Sequence, residues 1–199
     1  MQLFIIHRNF LVRGIIMNVI DIFCGCGGLS YGFIKQGYSL VRAFDNWNKV
    51  VEVYNDNFYH VAEKVDAYEL TCEYLRQFDP QIIIGGPPCQ DYSSAGKRNE
   101  SLGRANLTIR FAEIVASLKT PWFVMENVYN IERSPVFDQV LQIFKNAGYG
   151  ITKHVWDASY MGVPQMRKRY FVIGRQNTHD DFLLQDLEKN LSKERMTLA

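Results

Sequence analysis

The chain has 199 residues, 47% of them hydrophobic and 22% charged. That is long enough to bury a sizeable core and too apolar for a disordered or fibrous chain. Its 22 basic and 21 acidic side chains nearly cancel, so no general basic excess advertises a nucleic-acid partner, and any such partner is gripped by local patches.

The first sixteen residues, MQLFIIHRNFLVRGII, are apolar in patches. His7, Arg8 and Arg13 interrupt any continuous apolar run and no small-residue cleavage site follows, which argues against a signal peptide or a membrane span. Met17 stands just before a clean strand pattern, so residues 1–16 read as an upstream extension or a misassigned start. Val19–Phe23 is an apolar strand ending in glycines, and a helix over Leu29–Gln36 stops at Gly37. The unit repeats: a strand over Ser39–Asp45, then a helix over Lys49–Phe58 with Val50, Val53, Tyr54 and Phe58 at helical spacing. A weak strand over Ala62–Val65, a helix over Tyr68–Phe78 and an apolar strand over Gln81–Ile84 follow. Gly85-Gly86-Pro87-Pro88 stops that strand.

After a long loop from Pro87 to about Arg104, the pattern predicts a helix over Ala105–Lys119, a buried strand over Trp122–Glu126 and a helix over Val136–Ala147. Two strands close it, Ile151–Trp156 and Tyr170–Ile173, joined by a connection too short to guarantee a helix, so the final pair suits antiparallel pairing. Alternating strands and helices argue for a doubly wound, mostly parallel α/β sheet, whose ligands bind at the carboxyl ends of the strands. The main domain is placed at 17–175, and residues 176–199 read as a polar tail or frayed helix.

The cysteines are Cys24, Cys26, Cys72 and Cys89. Their spacing does not make the paired half-sites of a zinc centre, so no metal is expected, and a reduced, cytoplasmic chain is the simpler reading.

Chemistry gathers at the strand ends. Asp21-Ile22-Phe23-Cys24-Gly25-Cys26-Gly27-Gly28 lets the backbone turn sharply and lie against a ligand, although a bare tight turn has the same composition. Asp45 ends the next strand, where a carboxylate can accept from both hydroxyls of a ribose. Together they suggest an adenosine-bearing cofactor. Ser30 stands where the dinucleotide pattern needs a third glycine.

Cys89 follows two prolines that fix the backbone. It reads either as a small buried apolar residue or as a nucleophile whose thiolate is favoured by Arg98, Arg104, Arg167 or Arg169. Glu126 closes an apolar strand, where an unpaired acid is costly to bury, so it reaches a cleft or meets a partner. In Gln165-x-Arg167-x-Arg169, alternation aims both arginines to one side, and a solvated basic edge remains the alternative.

With these elements in order, the chain resembles the cytosine-C5 DNA methyltransferases over roughly Asn18–Gly174. DIFCGCGG is similar to their cofactor loop, GGPPCQ to their catalytic Pro-Cys loop, ENV to their cytosine-binding strand end, and QMRKR to their Gln-x-Arg-x-Arg motif. The resemblance implies the Rossmann-like fold of S-adenosylmethionine-dependent methyltransferases, S-adenosylmethionine as cofactor and double-stranded DNA as substrate. It implies cofactor contacts from Asp21, Phe23, Gly25, Gly27, Gly28, Asp45, Asp66, Pro88 and Leu107. It further implies that Cys89 attacks C6 of a flipped cytosine, that Glu126 engages N3 and the exocyclic amine, and that Arg167 holds O2 with support from Arg169. Gln90, Ser93, Arg98 and Arg104 of the long loop would touch DNA.

The chain departs from the family pattern in three places. Asn46 follows Asp45 where a large side chain often lies against the adenine, with Trp47 one residue later. Leu102-Gly103-Arg104-Ala105 replaces an Asp followed by an Arg-Gly pair. Beyond the last strand the family continues into a target-recognition region and a final helix; without them the expectation is a catalytic subunit completed by a second polypeptide, or a truncated product, from a bacterial restriction-modification or phage setting. A tRNA-directed relative and an inactive binding module of the same fold are the competing readings.

Overall fold

The computed structural model describes residues 16–58, 62–88 and 105–197. Cys89, Gln90, Ser93, Arg98 and Arg104, with most of the amino-terminal extension, lie outside the described residues.

Among the described residues, seven strands form one sheet in the order β3-β2-β1-β4-β5-β7-β6. They are β1 (Asn18–Ile22), β2 (Ser39–Asp45), β3 (Ala62–Lys64), β4 (Ile82–Gly85), β5 (Trp122–Val128), β6 (Tyr149–Asp157) and β7 (Lys168–Gln176). The first five run parallel, and β7 lies antiparallel between β5 and β6. The helices are α1 (Gly28–Ile34), α2 (Asn48–Asn57), α3 (Cys72–Arg76), α4 (Ala105–Leu118), α5 (Pro135–Asn146) and α6 (Leu184–Lys189).

The central strands are apolar on both faces because helices cover both. Ile20, Ile83, Phe123 and Met125 enter one core with Phe111 and Val115 of α4 and Phe137, Val140 and Phe144 of α5. Their neighbours Val19, Ile82, Ile84 and Val124 point the other way, into a core with Phe33 of α1 and Val51 and Tyr54 of α2, as the two-residue period of a strand requires. Phe123 stacks on Phe144 with ring centroids 4.0 Å apart. Opposite it in the pairing stands Gly174, where any Cβ would run into the Phe123 ring.

Local chemistry sets the element ends. Ser134 accepts from the Val136 amide, with Pro135 opening α5, so that helix starts where its cap dictates. The helix expected over 68–78 is confined to Cys72–Arg76. Thr71 caps it by accepting from the Tyr74 amide, and Asp79 takes a positive φ soon after its end. The segment beyond 176, polar by composition, folds back onto the sheet. Leu183 and Leu187 are buried, and Phe182 packs against Trp122 with ring centroids 5.6 Å apart.

Among the described residues, no helix is long and apolar enough to cross a membrane, and no three His, Cys, Asp or Glu side chains gather where they could hold a metal ion.

Candidate active site

The carboxyl ends of β1, β2, β4 and β5 and the first residues of β7 meet at one edge of the sheet. β7 contributes its beginning because it runs the other way. Glu126 pairs with Phe171 across β5 and β7, and Val128 with Arg169, which brings the arginine motif to the acid's strand end.

There, Arg169 Nε lies 2.9 Å from Glu126 Oε1, and both side chains keep 26% of their surface exposed. Burial pushes the Glu126 carboxyl above its ordinary pKa, while the positive charges of Arg169 and then Arg167 pull it back. Burial and the two arginines thus act on this carboxyl in opposite directions, with burial the larger effect. Gly86 sits beside it: a Cβ on that residue would lie 3.5 Å from Glu126 Oε2. Glu126, Arg167, Arg169, Gly86, Gly28 and Phe23 all line a cavity of about 840 Å³, whose deeper wall is apolar.

A second, narrow cleft of about 10 Å³ opens on the other side of Phe23, walled by Asp45, Asn46, Asp66 and Leu107 among others. Phe23 therefore belongs to both spaces, and it is held at a positive φ of 65°, a conformation uncommon for a bulky residue. Asp45 accepts from the Gly25 amide at 3.0 Å through Oδ2 and from the Trp47 amide at 2.9 Å through Oδ1. One lone pair on each oxygen remains. Asp66 Oδ1 accepts from the Tyr68 amide at 3.0 Å. Gly25 and Gly27 have φ of 52° and 88°, and at Gly27 a Cβ would strike the Phe58 ring, so the turn needs glycine for both conformation and space.

Asp21 lies behind this turn, 1% exposed, and lines neither cavity. Ser30 Oγ donates to Asp21 Oδ2 at 2.5 Å, and Tyr54 Oη donates to Ser30 Oγ at 3.0 Å. Asp21 Oδ1 has no hydrogen-bond partner among the described residues. Burial, opposed by the Ser30 hydroxyl and reinforced by the Asp45 charge, raises its pKa from 3.8 to about 7. The nearby Cys24 thiol is pushed up by burial and then by Asp21 and Asp45, which leaves it inert as a nucleophile.

The expected residues thus divide. Phe23, Gly28, Glu126, Arg167 and Arg169 share the large cavity; Phe23, Asp45, Asp66 and Leu107 share the narrow cleft; Asp21 stands behind them. Pro88 is half-buried. The contact to Glu126 comes from Arg169, with Arg167 acting on it through charge alone. The sequence reading missed Asn127, 3% exposed, whose Nδ2 donates to the Pro87 carbonyl at 3.1 Å. It also missed the Tyr54–Ser30–Asp21 chain. An amide inside an apolar strand was the available signal for Asn127, since a buried amide needs a partner.

Residues 17–198 match the family model of the C-5 cytosine-specific DNA methylases. The chain belongs to this family. It is 46% identical over 184 residues to the type II methyltransferase M.HindV of Haemophilus influenzae, covering 92% of this chain and 60% of that protein. M.HgiDI of Herpetosiphon aurantiacus is 43% identical, with the same coverage. M.HgiGI, also of Herpetosiphon aurantiacus, is 46% identical over 125 residues, covering 62% of this chain and 99% of that protein. The chain spans about 60% of the length of the first two relatives.

Among solved structures, a putative DNA modification methyltransferase encoded within an Escherichia coli prophage matches with a TM-score of 0.75 and 28% identity, covering 91% of this chain and 53% of that one. The Dnmt2 methyltransferase of S. pombe shares the fold, with a TM-score of 0.76 at 22% identity, covering 90% of this chain and 57% of that one. The mostly parallel sheet with an antiparallel β7 is that of these methyltransferases.

Proposed function

We propose that this chain is the catalytic part of a DNA (cytosine-5) methyltransferase that modifies an extruded cytosine with S-adenosylmethionine as donor. The observation that carries this reading is the Glu126–Arg169 pair at the β5 edge, in a cavity that shares Phe23 with a cleft whose carboxylates suit adenosine.

The residues present fit such a cofactor by the chemistry of their acceptors. Asp45 keeps one lone pair on each oxygen, which would accept from the ribose hydroxyls, Asp66 would accept from an adenine amino group, and the backbone of the Gly25–Gly28 turn would face the methionine part. Phe23 and Leu107 must part to admit the purine. When bound, S-adenosylmethionine supplies an electrophilic methyl group on a sulfonium.

The chain's own residues would do the rest. Cytosine C5 is a poor nucleophile inside an aromatic ring, so the Cys89 thiolate adds to C6 and its electron pair makes C5 enamine-like. Glu126, with its raised pKa, donates a proton or hydrogen bond to N3 and accepts from the exocyclic amine. The arginines offset negative charge developing at N3 and O2, with Arg169 nearest the acid. After C5 has taken the methyl group, a base removes the C5 proton, the C5–C6 double bond re-forms and the Cys89 thiolate leaves. The base must leave the stack to reach these groups, at a cost of a few kcal/mol. Gln90, Ser93, Arg98 and Arg104 are proposed to hold the strand around it.

A second polypeptide, or further chain, is proposed to read the target.

The test is covalent trapping on duplex DNA containing 5-fluorocytosine in the presence of S-adenosylmethionine, with and without a candidate partner chain. A stable adduct through Cys89 is the expected result. Absence of adduct with every partner, while cofactor still binds, would sink the reading.

A further inference from the structure

Beside the mouth of the large cavity lies a separate basic recess of about 510 Å³, whose walls include Tyr129, Asp157, Arg167, Lys168, Arg169 and Arg195. Pairing builds it. Val128 stands opposite Arg169 and Asp157 opposite Lys168, so Tyr129 at the end of β5, the close of β6 and the start of β7 converge. Arg195 arrives from beyond α6. It is oriented rather than loose: its Nε donates to Tyr160 Oη at 3.0 Å, and its guanidinium lies 5.3 Å from the centre of the Tyr160 ring.

Four cations face one carboxylate here, Asp157; Glu126, which does not line the recess, is held by Arg169. Asp157 Oδ1 accepts from the Ser159 amide and hydroxyl, and its pKa is lowered chiefly by those bonds, with the Arg195 charge adding to them. Lys168 is exposed with no ion-pair partner among the described residues. The Tyr129 ring is 47% exposed, an aromatic face next to the cations. Cations together with an open aromatic ring are the two elements that hold a nucleic-acid strand by backbone and base without reading sequence.

We infer that this recess is a nucleotide shelf for the DNA strand carrying the target cytosine: Lys168 and Arg195 hold a phosphodiester flanking the target, and Tyr129 stacks on the neighbouring base. The inference rests on the proposed function, because the recess shares Arg167 and Arg169 with the cavity meant for the extruded base. A strand whose base enters that cavity must pass its flanking phosphates over the mouth.

The experiment is the salt dependence of duplex binding by the full chain, followed by fluorescence anisotropy with a labelled oligonucleotide and with its RNA counterpart. Lys168→Gln and Arg195→Gln should each flatten the slope of log K against log salt by about 0.9, the loss of one phosphate contact. Tyr129→Ala should weaken binding roughly ten-fold with the slope unchanged. Unchanged slopes in both charge variants, no duplex binding by the wild type at low salt, or tighter binding of the RNA would each overturn the shelf. S-adenosylmethionine binding, measured by calorimetry on the same preparations, separates the two claims. Intact cofactor binding with unchanged slopes rejects the shelf alone, whereas a wild type that binds no cofactor rejects the methyltransferase reading.

Discussion

The Asn127 side-chain amide donates to the Pro87 carbonyl across 3.1 Å in the buried end of the sheet. β4 and β5 are already paired in parallel up to Gly85 and Met125, and this bond carries the coupling past the last strand pair. The backbone at Pro87 is thereby fixed to the residue after Glu126, so the proline pair and the acid share one support.

Replacing Asn127 with Ala removes the donor and leaves the Pro87 carbonyl unpaired in a dry environment, which costs about 1–3 kcal/mol. Urea denaturation should show that loss in the midpoint with little change in slope. The rate of 5-fluorocytosine trapping should fall while cofactor affinity holds. A variant as stable as the wild type would mean that the bond adds nothing.

Glu126→Gln keeps the shape and a donor but cannot pass between protonation states. Methyl transfer should drop by about 10²–10³-fold, the scale for loss of one group stabilising developing charge, with S-adenosylmethionine affinity unchanged. Arg169→Met should act through the acid. With only Arg167 opposing burial, the Glu126 pKa moves further up, so the limb of the pH–rate profile belonging to this carboxyl shifts to higher pH. A profile that keeps its position after Arg169→Met would disprove the coupling.

Asp21 gives a stability prediction with a definite sign. Its pKa is 3.8 as a free carboxyl and about 7 in the folded chain, so between those values the native state holds a proton that the unfolded state has released. Stability from this group is full below pH 4, declines as pH rises towards 7 and is flat above it. The displacement corresponds to at most about 4 kcal/mol. Asp21→Asn removes the titration: its thermal midpoint should vary less over this range and exceed that of the wild type at pH 8. Equal pH dependence in the two proteins would refute the assignment.

At the narrow cleft, Asp45→Ala should weaken S-adenosylmethionine binding by roughly 10–100-fold in calorimetry, since it removes the proposed acceptor for the ribose and the anchor of the Gly25 and Trp47 amides. Phe23→Ala should weaken it as well, and should also slow trapping at saturating cofactor, because that ring borders both spaces. Loss of cofactor affinity alone in Phe23→Ala would leave the shared wall without function.

Much of this was legible in the chain itself, for one physical reason. Asp45 and Glu126 each close an apolar run, and an acid there is tolerated only where a partner or a ligand meets it, whereas Asp21, expected beside them at the cofactor, is buried inside β1 and lines neither cavity. The antiparallel pairing of β6 with β7 was foreshadowed by a connection too short for a crossover helix, whereas the insertion of β7 between β5 and β6 was not. What escaped were contacts between residues far apart in sequence. Ser30, read only as a failed glycine, donates to Asp21; Tyr54, read as a helical apolar position, completes that chain; Asn127 reaches back forty residues to Pro87. Leu183 and Leu187 were hidden in a polar stretch because two apolar side chains four apart make too faint a stripe to distinguish a packed helix from a tail.

The reversed direction of β7 also has a consequence for how such proteins can vary. In a purely parallel sheet each reactive side chain is followed at once by a surface loop, so a lengthened loop disturbs its neighbour. Here Arg167 immediately precedes its strand and Arg169 lies at its start, placed by the connection from Asp157 and by pairing on both flanks. Chain appended after Gln176 begins at the opposite edge, a full strand away from the chemistry. It then returns through α6, so that Leu187 and Asn190 line the large cavity and Arg195 stands in the recess beside the cationic pair.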